Sequence, residues 1–315
     1  MMTATNESTG NFTLQLVMPS VTHATFVRNF YAISVLNSIS NVIAFVIGII
    51  ALIGILKAQN FSAATRVFLA NMTIIDLISA ISLQPCTTAY LILWIKGTSF
   101  NTNKILSDVT NYLHYLVSIW SFFAFMAVSV DRYMLLYQPL TYANILNTRV
   151  AIGISTALNV TVIISFTILQ FNTTARVPAK YCSIIMYISI ALLLCIHTRI
   201  MITAMRTYRK IRLSAVGGKI PQTRLRRRRV EIKQASVTVG LFLTITICYL
   251  PIIIINQISF FEVLDKLQLS IIGHWALFLM MACPIGKQFL LCVMNKAIRA
   301  AVKRWVFLLR EPEFV

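Results

Sequence analysis

Four ionisable residues lie inside strongly apolar segments of this sequence, where a charge needs a specific reason. Asp76 and Lys287 each stand within a long apolar run, and Asp131 and Arg132 stand together near the end of another. An unpaired charge in a membrane interior costs about 3 kcal/mol or more, so such residues pair with one another or serve a function. The chemistry that they indicate is the pairing and release of charge between helices.

Residue sets typical of enzymes are not found in the sequence. We identify no cluster of metal ligands, no nucleophile next to a base and no phosphate-binding loop. The sequence therefore predicts neither an enzyme nor a metal site, and we expect no cofactor.

The composition indicates that lipid, rather than water, surrounds most of the chain. Of 315 residues 58% are hydrophobic and 12% are charged, whereas soluble domains average about 25% charged residues. The apolar runs reach about 20 residues and are continuous rather than alternating, which favours membrane-spanning helices. We predict an all-α membrane protein, a bundle of seven transmembrane helices followed by a short amphipathic helix. The predicted spans are residues 31–56, 66–94, 105–137, 150–171, 181–208, 229–260 and 267–294.

The distribution of positive charge predicts how these helices are oriented. Of the 28 Lys and Arg residues, 22 fall on the side that the C-terminus would share and 6 on the other, and basic loops face the cytoplasm in membrane proteins. The expected protein lies in the plasma membrane, with an extracellular tail (1–30), the bundle (31–294) and a cytoplasmic amphipathic helix and tail (295–315). The net charge is +19, and most of the basic residues lie between the apolar runs. This placement favours membrane lipid as a partner and argues against nucleic acid.

The polar N-terminal tail supports the same orientation. Its first 25 residues contain no apolar block, so we expect no signal peptide. Sequons at Asn6 and Asn11, with a third at Asn172, predict glycosylation outside the cell.

Three motifs carry a resemblance to a known family. The third span ends in Asp131-Arg132-Tyr133, and Pro139-Leu140-x-Tyr142 follows. The second span has Leu69-Ala70 ahead of Asp76, and the sixth carries Cys248-Tyr249-x-Pro251. The set resembles rhodopsin-like (class A) G-protein-coupled receptors, which implies a small-molecule ligand and a heterotrimeric G protein as partners.

The resemblance also implies roles for single residues. Asp131, Arg132 and Tyr133 would serve G-protein coupling and activation, and Tyr249 and Pro251 would form a helix switch, because a proline interrupts the hydrogen bonds of a helix. Glu231 would hold Arg132 in the resting state; alternatively, Glu231 only balances its basic neighbours.

A polar site in the middle of the bundle is a further implication of the resemblance. Many members of the family bind a sodium ion there with an acid, a serine and an asparagine, and Asp76 and Ser121 occupy the first two positions. Lys287 replaces the asparagine, so we predict that its ammonium takes the place of the ion. The alternative is that Lys287 lies one turn lower and extends to the membrane surface.

The chain departs from the family pattern in two further ways. The usual outer disulfide lacks its cysteine in the third span, and Cys86 with Cys182 is the substitute that we predict. The seventh span has no Asn-Pro-x-x-Tyr. Either Pro284 is the motif proline, or the ending Asn295-Lys-x-x-Arg299 matches odorant receptors and Lys287-Gln288 replaces Asn-Pro, which we prefer.

The ligand side of the bundle favours a small molecule that is not an amine. Amine receptors hold the ammonium on an aspartate in the third span, and here that position carries His114. A chemosensory, odorant-type receptor is therefore the preferred function; a non-signalling binding or chaperone-type protein, or a transporter, is the alternative. The predicted pocket contains His114, Ser118, Tyr249, Asn256 and Phe278, although residues of this kind also serve simply to pack helices.

Overall fold

The computed structural model describes residues 23–58, 61–97, 100–172, 176–216, 222–258 and 266–310, and this part of the chain is helical almost throughout. Its apolar runs leave the backbone no partner but itself, which is the condition that favours helices in lipid. The helices are α1 (His23–Lys57), α2 (Ala63–Ile81), α3 (Leu83–Ile95), α4 (Phe100–Tyr137), α5 (Pro139–Ile145), α6 (Thr148–Asn172), α7 (Arg176–Val216), α8 (Gln222–Ile258), α9 (Lys266–Met281), α10 (Cys283–Met294) and α11 (Lys296–Arg310).

Seven stretches of these helices are long and apolar enough to cross a membrane, which confirms the predicted fold class. The second span joins α2 to α3, and the seventh joins α9 to α10. Helix α1 begins at His23, ahead of the predicted start at Tyr31. The seven stretches are Ala24–Lys57, Ala63–Ile95, Lys104–Tyr137, Thr148–Gln170, Ser183–Arg209, Ile232–Asn256 and Gln268–Met294.

Two spans are interrupted close to a proline. The second span breaks at Ser82, just before Pro85, and the seventh breaks at Ala282, just before Pro284. Proline has no N–H to continue the helical ladder. At the break in the seventh span, the Ile285 N–H donates to the Ala282 carbonyl at 3.0 Å. The Met281 carbonyl accepts a hydrogen bond of 2.9 Å from Gln84 Nε2, so a side chain of one broken span binds the backbone of the other.

The short C-terminal helix α11 packs on α1. Asn295 precedes it, and its Oδ1 accepts from the Ala297 N–H at 3.0 Å, which satisfies one of the free amides at a helix start. Ile298 is fully buried, whereas Lys303 is exposed. A Cβ atom at Gly54 would lie 2.7 Å from Ile298 Cγ2, so glycine in α1 is what permits this close approach.

The interface of α2, α4 and α6 contains a chain of polar side chains. Asn159 of α6 lies at its centre, and its Oδ1 accepts from Trp120 Nε1 at 2.7 Å. Its Nδ2 donates to Asn71 Oδ1 at 2.8 Å. An indole N–H therefore reaches α6 from α4, and the three helices are tied together.

Candidate functional site

An ion pair occupies the centre of the bundle, between α2 and α10. Lys287 Nζ lies 2.5 Å from Asp76 Oδ1, and the two side chains are 1% and 2% exposed. Gln288 Nε2 donates to Asp76 Oδ2 at 2.7 Å. Both carboxylate oxygens therefore have a protein donor. Lys287 is buried beside Asp76 and does not extend to a membrane surface.

A small cavity of about 10 Å³ adjoins this pair, with room for about one water molecule. Ser118, Ser121, Tyr249 and Lys287 are among the residues that line it. The residues do not fit a sodium ion, because an ammonium already lies where the cation would bind Asp76. The arrangement replaces a soluble counter-ion with one that is covalently part of the chain.

The carboxylate of Asp131 lies at the end of the bundle that contains the C-terminus of α4, which we call the Arg132 end. Thr65 Oγ1 donates to Asp131 Oδ2 at 2.6 Å, and Tyr142 OH donates to Oδ1 at 2.7 Å. Burial and the negative charge of Asp131 raise the pKa of Tyr142 to about 12. Arg132 Nε lies 3.9 Å from Asp131 Oδ2, so two neutral hydroxyls bind the carboxylate more closely than the neighbouring guanidinium does.

The guanidinium of Arg132 reaches instead to α8. Arg132 Nη1 donates to Gln234 Oε1 at 2.7 Å, and the guanidinium carbon lies 5.7 Å from the centre of the Phe61 ring. The predicted partner, Glu231, has a side chain outside the described residues, so its contact with Arg132 stays a prediction. Gln234 is one turn further along the same helix and faces the same way. Tyr133 stacks on Tyr137 at 5.5 Å.

The predicted helix switch lies in the last third of α8. Pro251 is inside the helix, and Tyr249 is buried with its ring edge against Phe122 at 4.8 Å. Since Tyr249 also lines the cavity beside Lys287, the proline interruption of α8 adjoins the central ion pair.

A second cavity, of about 430 Å³, opens at the opposite end, which we call the His114 end. Four helices enclose it. The polar residues that face it include Thr87 and Tyr90 of α3, Thr110 and His114 of α4, Asn256 of α8 and His274 of α9. Its volume lies in the range of small-molecule sites, roughly 300–1,000 Å³.

The residues predicted for the ligand pocket divide among three places. His114 and Asn256 line the large cavity, but Ser118 and Tyr249 lie deeper and line the small one. Phe278 is not among the residues that line either cavity, and it packs at 6.0 Å on Trp275, in an apolar cluster with Phe30 of α1. His274, on the same face of α9, lies 4.6 Å from the Phe30 ring and also lines the large cavity. A place for Phe278 in the ligand pocket stays a prediction.

The predicted disulfide is not formed in the structure, since Cys86 carries a free thiol. Cys86 stands on α3, which packs chiefly on α1 and α4, whereas Cys182 belongs to α7, which packs chiefly on α4 and α8. A bridge requires Cα atoms within about 7 Å. The Cys182 side chain lies outside the described residues, as do Asn6, Asn11 and the side chain of Asn172.

Several residues of these sites escaped the sequence reasoning. Gln234 and Gln288 are uncharged, so neither stood out as costly in lipid, although Gln288 adjoins Lys287. Thr65 and Thr110 resemble the many hydroxyl residues that bind their own helix. Tyr142 was visible as part of the motif after α4, but its bond to Asp131 depends on how α5 folds back.

Comparison with known proteins gives two similarities. Residues 48–285 match the family described as 7 transmembrane receptor (rhodopsin family). The chain is also similar to the dopamine D2-like receptor of Drosophila melanogaster, with 24% identity over 101 residues, which is 32% of this chain. That segment spans only 11% of the length of the fly protein.

Proposed function

The chain belongs to the rhodopsin family of seven-transmembrane receptors, and from that premise we propose that it is a G-protein-coupled receptor of the plasma membrane. In this proposal the His114 end faces outward and takes a small, non-amine ligand into the 430 Å³ cavity. The Arg132 end faces the cytoplasm and binds a heterotrimeric G protein. The excess of positive charge on that side of the sequence supports the orientation.

One observation carries the proposal: helix α8 takes part in both ends. Asn256 lines the large cavity, Gln234 binds Arg132, and Pro251 lies in the helix between these two residues. A displacement of the upper part of α8 by a ligand is therefore transmitted across a weakened point of the helix to the residue that restrains Arg132.

The restraint on Arg132 is suited to a switch between two states. A hydrogen bond from a charged donor contributes about 1.5–3 kcal/mol, and conformational equilibria of a few kcal/mol are those that a ligand can shift. Opening the Arg132 end by moving α8 breaks the bond to Gln234 and exposes the guanidinium to a cytoplasmic partner. Asp131 stays bound by Thr65 and Tyr142, and so does not recapture the arginine at close range.

The central ion pair gives this receptor a fixed counter-ion. Because Lys287 binds Asp76 within the protein, we propose that agonist affinity is independent of sodium. The pair connects the second span to the seventh in either state, and its burial makes separation costly.

A chemosensory, odorant-type role is the finer form of the proposal. The tail Asn295-Lys-x-x-Arg299, in which Asn295 accepts from the amide of Ala297 at the start of α11, supports it, as does the position of His114 where amine receptors carry an aspartate. The alternative, a non-signalling binding protein, draws on the altered seventh span around Lys287-Gln288.

The deciding experiment measures G-protein activation in cells, both basal and with a panel of small volatile molecules. Arg132→Ala, matched for surface expression, is the control, because it leaves the ligand cavity intact. Activation that Arg132→Ala abolishes supports a receptor. Ligand binding without activation of any G protein by the parent chain would favour the non-signalling alternative.

A further inference from the structure

Two buried polar atoms without a hydrogen-bond partner belong to residues that line the large cavity. They are His114 Nε2 and Thr110 Oγ1, in side chains that are 8% and 7% exposed. The residues stand four apart on α4, so they lie on one face of the helix, one turn from each other. Both line the 430 Å³ cavity. A buried polar group without a partner destabilises a protein, so each of these two side chains has a hydrogen-bonding group that the protein itself does not satisfy.

The neighbouring polar residues show that this arrangement is specific. Thr87, which lines the same cavity from α3, turns its hydroxyl back to the Leu83 carbonyl at 2.8 Å. His274 is bound through Nδ1 to the Ser270 carbonyl at 2.7 Å. Thr110 could satisfy its hydroxyl in the same local way as Thr87, yet in the structure it does not.

The remaining lining restricts the charge of what can bind. Among the described residues around the cavity there is no aspartate, glutamate, lysine or arginine, and Ile252, Ile255 and Leu277 supply apolar surface. A ligand carboxylate or ammonium would therefore lose its hydration without gaining an opposite charge. The cavity suits an uncharged molecule with an apolar body.

We propose that the cavity binds a neutral alcohol, whose hydroxyl lies between His114 Nε2 and Thr110 Oγ1. This inference rests on the proposed function and specifies its ligand class. A hydroxyl donates one hydrogen bond and accepts others, and the threonine hydroxyl rotates to do either. An alcohol therefore satisfies both groups in either tautomer of a neutral imidazole, whereas a carbonyl can only accept.

The test is a binding measurement that needs no G protein. The melting temperature of the purified receptor in lipid nanodiscs is measured in the presence of linear, cyclic and branched molecules. Each has about ten carbon atoms, a size suited to the cavity. Each skeleton is supplied as the alcohol, the carbonyl compound, the amine and the carboxylic acid. At least one alcohol should raise the melting temperature saturably, and its carbonyl, amine and acid counterparts should bind more weakly.

Two variants then locate the hydroxyl. Thr110→Val removes one of the two unpartnered groups without changing the size of the side chain, and should weaken alcohol binding about tenfold, the value of one hydrogen bond to a neutral group. The ligand-free protein should not lose stability, because an unsatisfied hydroxyl is removed. Thr110→Ser should restore binding. Thr246→Val is the matched control, since its hydroxyl already binds the Phe242 carbonyl at 2.9 Å and Thr246 is not among the residues that line the cavity. It should bind the alcohol as the parent does.

The possible results separate this inference from the proposed function. If no alcohol binds, if carbonyl, amine or acid counterparts bind as tightly, or if Thr110→Val and Thr246→Val behave alike, the assignment is overturned. Alcohol binding that depends on Thr110, in a protein that activates no G protein, supports the inference while the receptor function fails.

Discussion

Removing the ammonium of Lys287 is the sharpest perturbation of the central site. We expect Lys287→Asn to leave the Asp76 carboxylate buried with Gln288 as its one remaining partner of the two that now bind it. The two charged side chains are 1% and 2% exposed and 2.5 Å apart, so the substitution leaves a buried carboxylate without its counter-ion. The substituted asparagine is too short to replace the ammonium at the same place.

The size of the effect follows from that geometry. Breaking one partner out of a buried ion pair costs about 3–5 kcal/mol. At about 2 °C of melting temperature per kcal/mol for a large domain, the expected fall is roughly 6–10 °C. The variant should also gain a dependence on sodium that the parent lacks, because the cation position beside Asp76 and Ser121 becomes vacant.

The assay compares thermal unfolding and agonist affinity in sodium chloride and in choline chloride at equal ionic strength. The control is the double variant Asp76→Asn with Lys287→Met, which removes both charges together. It should stay close to the parent in stability, since replacing a whole buried pair by neutral groups is often nearly neutral, and it should ignore sodium. A parent that responds to sodium, or a Lys287→Asn variant with unchanged stability and no sodium response, would falsify the reasoning.

Three further predictions concern the other contacts. Gln234→Ala should raise basal signalling at equal surface expression, because it removes the hydrogen bond from Arg132 to α8. Ser236→Ala, exposed on the same helix, should not. Glu231→Ala is expected to act as Gln234→Ala does, and lower basal activity in either variant would contradict the restraint. The stability that Tyr142 contributes should be complete below pH 10, the pKa in the unfolded chain, and should be lost as the pH rises towards the folded pKa of about 12. In a pH series of melting temperatures, Tyr142→Phe should remove this alkaline fall in stability. An unchanged fall would exclude Tyr142 as its source. Asn159→Ala should lower the free energy of unfolding by about 1–3 kcal/mol, because it leaves the Trp120 indole without its acceptor. A melting temperature equal to that of the parent would show that this hydrogen bond does not stabilise the protein.

The features that the sequence predicted well are those in which one residue type has few physical solutions. Long apolar runs in a chain with 12% charged residues permit a helical bundle and little else. Lys287 inside such a run required an acid, and the seventh-span register led to Asp76. The contact between them in the structure follows from the same energetic argument.

Features that depend on where a residue lies relative to neighbouring helices were harder to predict. Phe278 and His274 share one face of α9 and both pack towards α1, yet only His274 also lines the large cavity. The disulfide was inferred from elimination among cysteines, and Cys86 is instead a free thiol. Gln234 and Thr110 carry no charge, so hydropathy alone gave no signal for either. Only the arrangement of the neighbouring helices distinguishes them from other polar residues in the spans.

The hydrogen bond from Gln84 to the Met281 carbonyl has a mechanical consequence. It links the interruption near Pro85 in the second span to the interruption near Pro284 in the seventh, at 2.9 Å. The two interruptions cannot bend independently while this buried hydrogen bond is intact, because moving Gln84 or the Met281 carbonyl by more than a fraction of an ångström stretches the bond. We therefore expect a bend in the second span to be accompanied by a bend in the seventh.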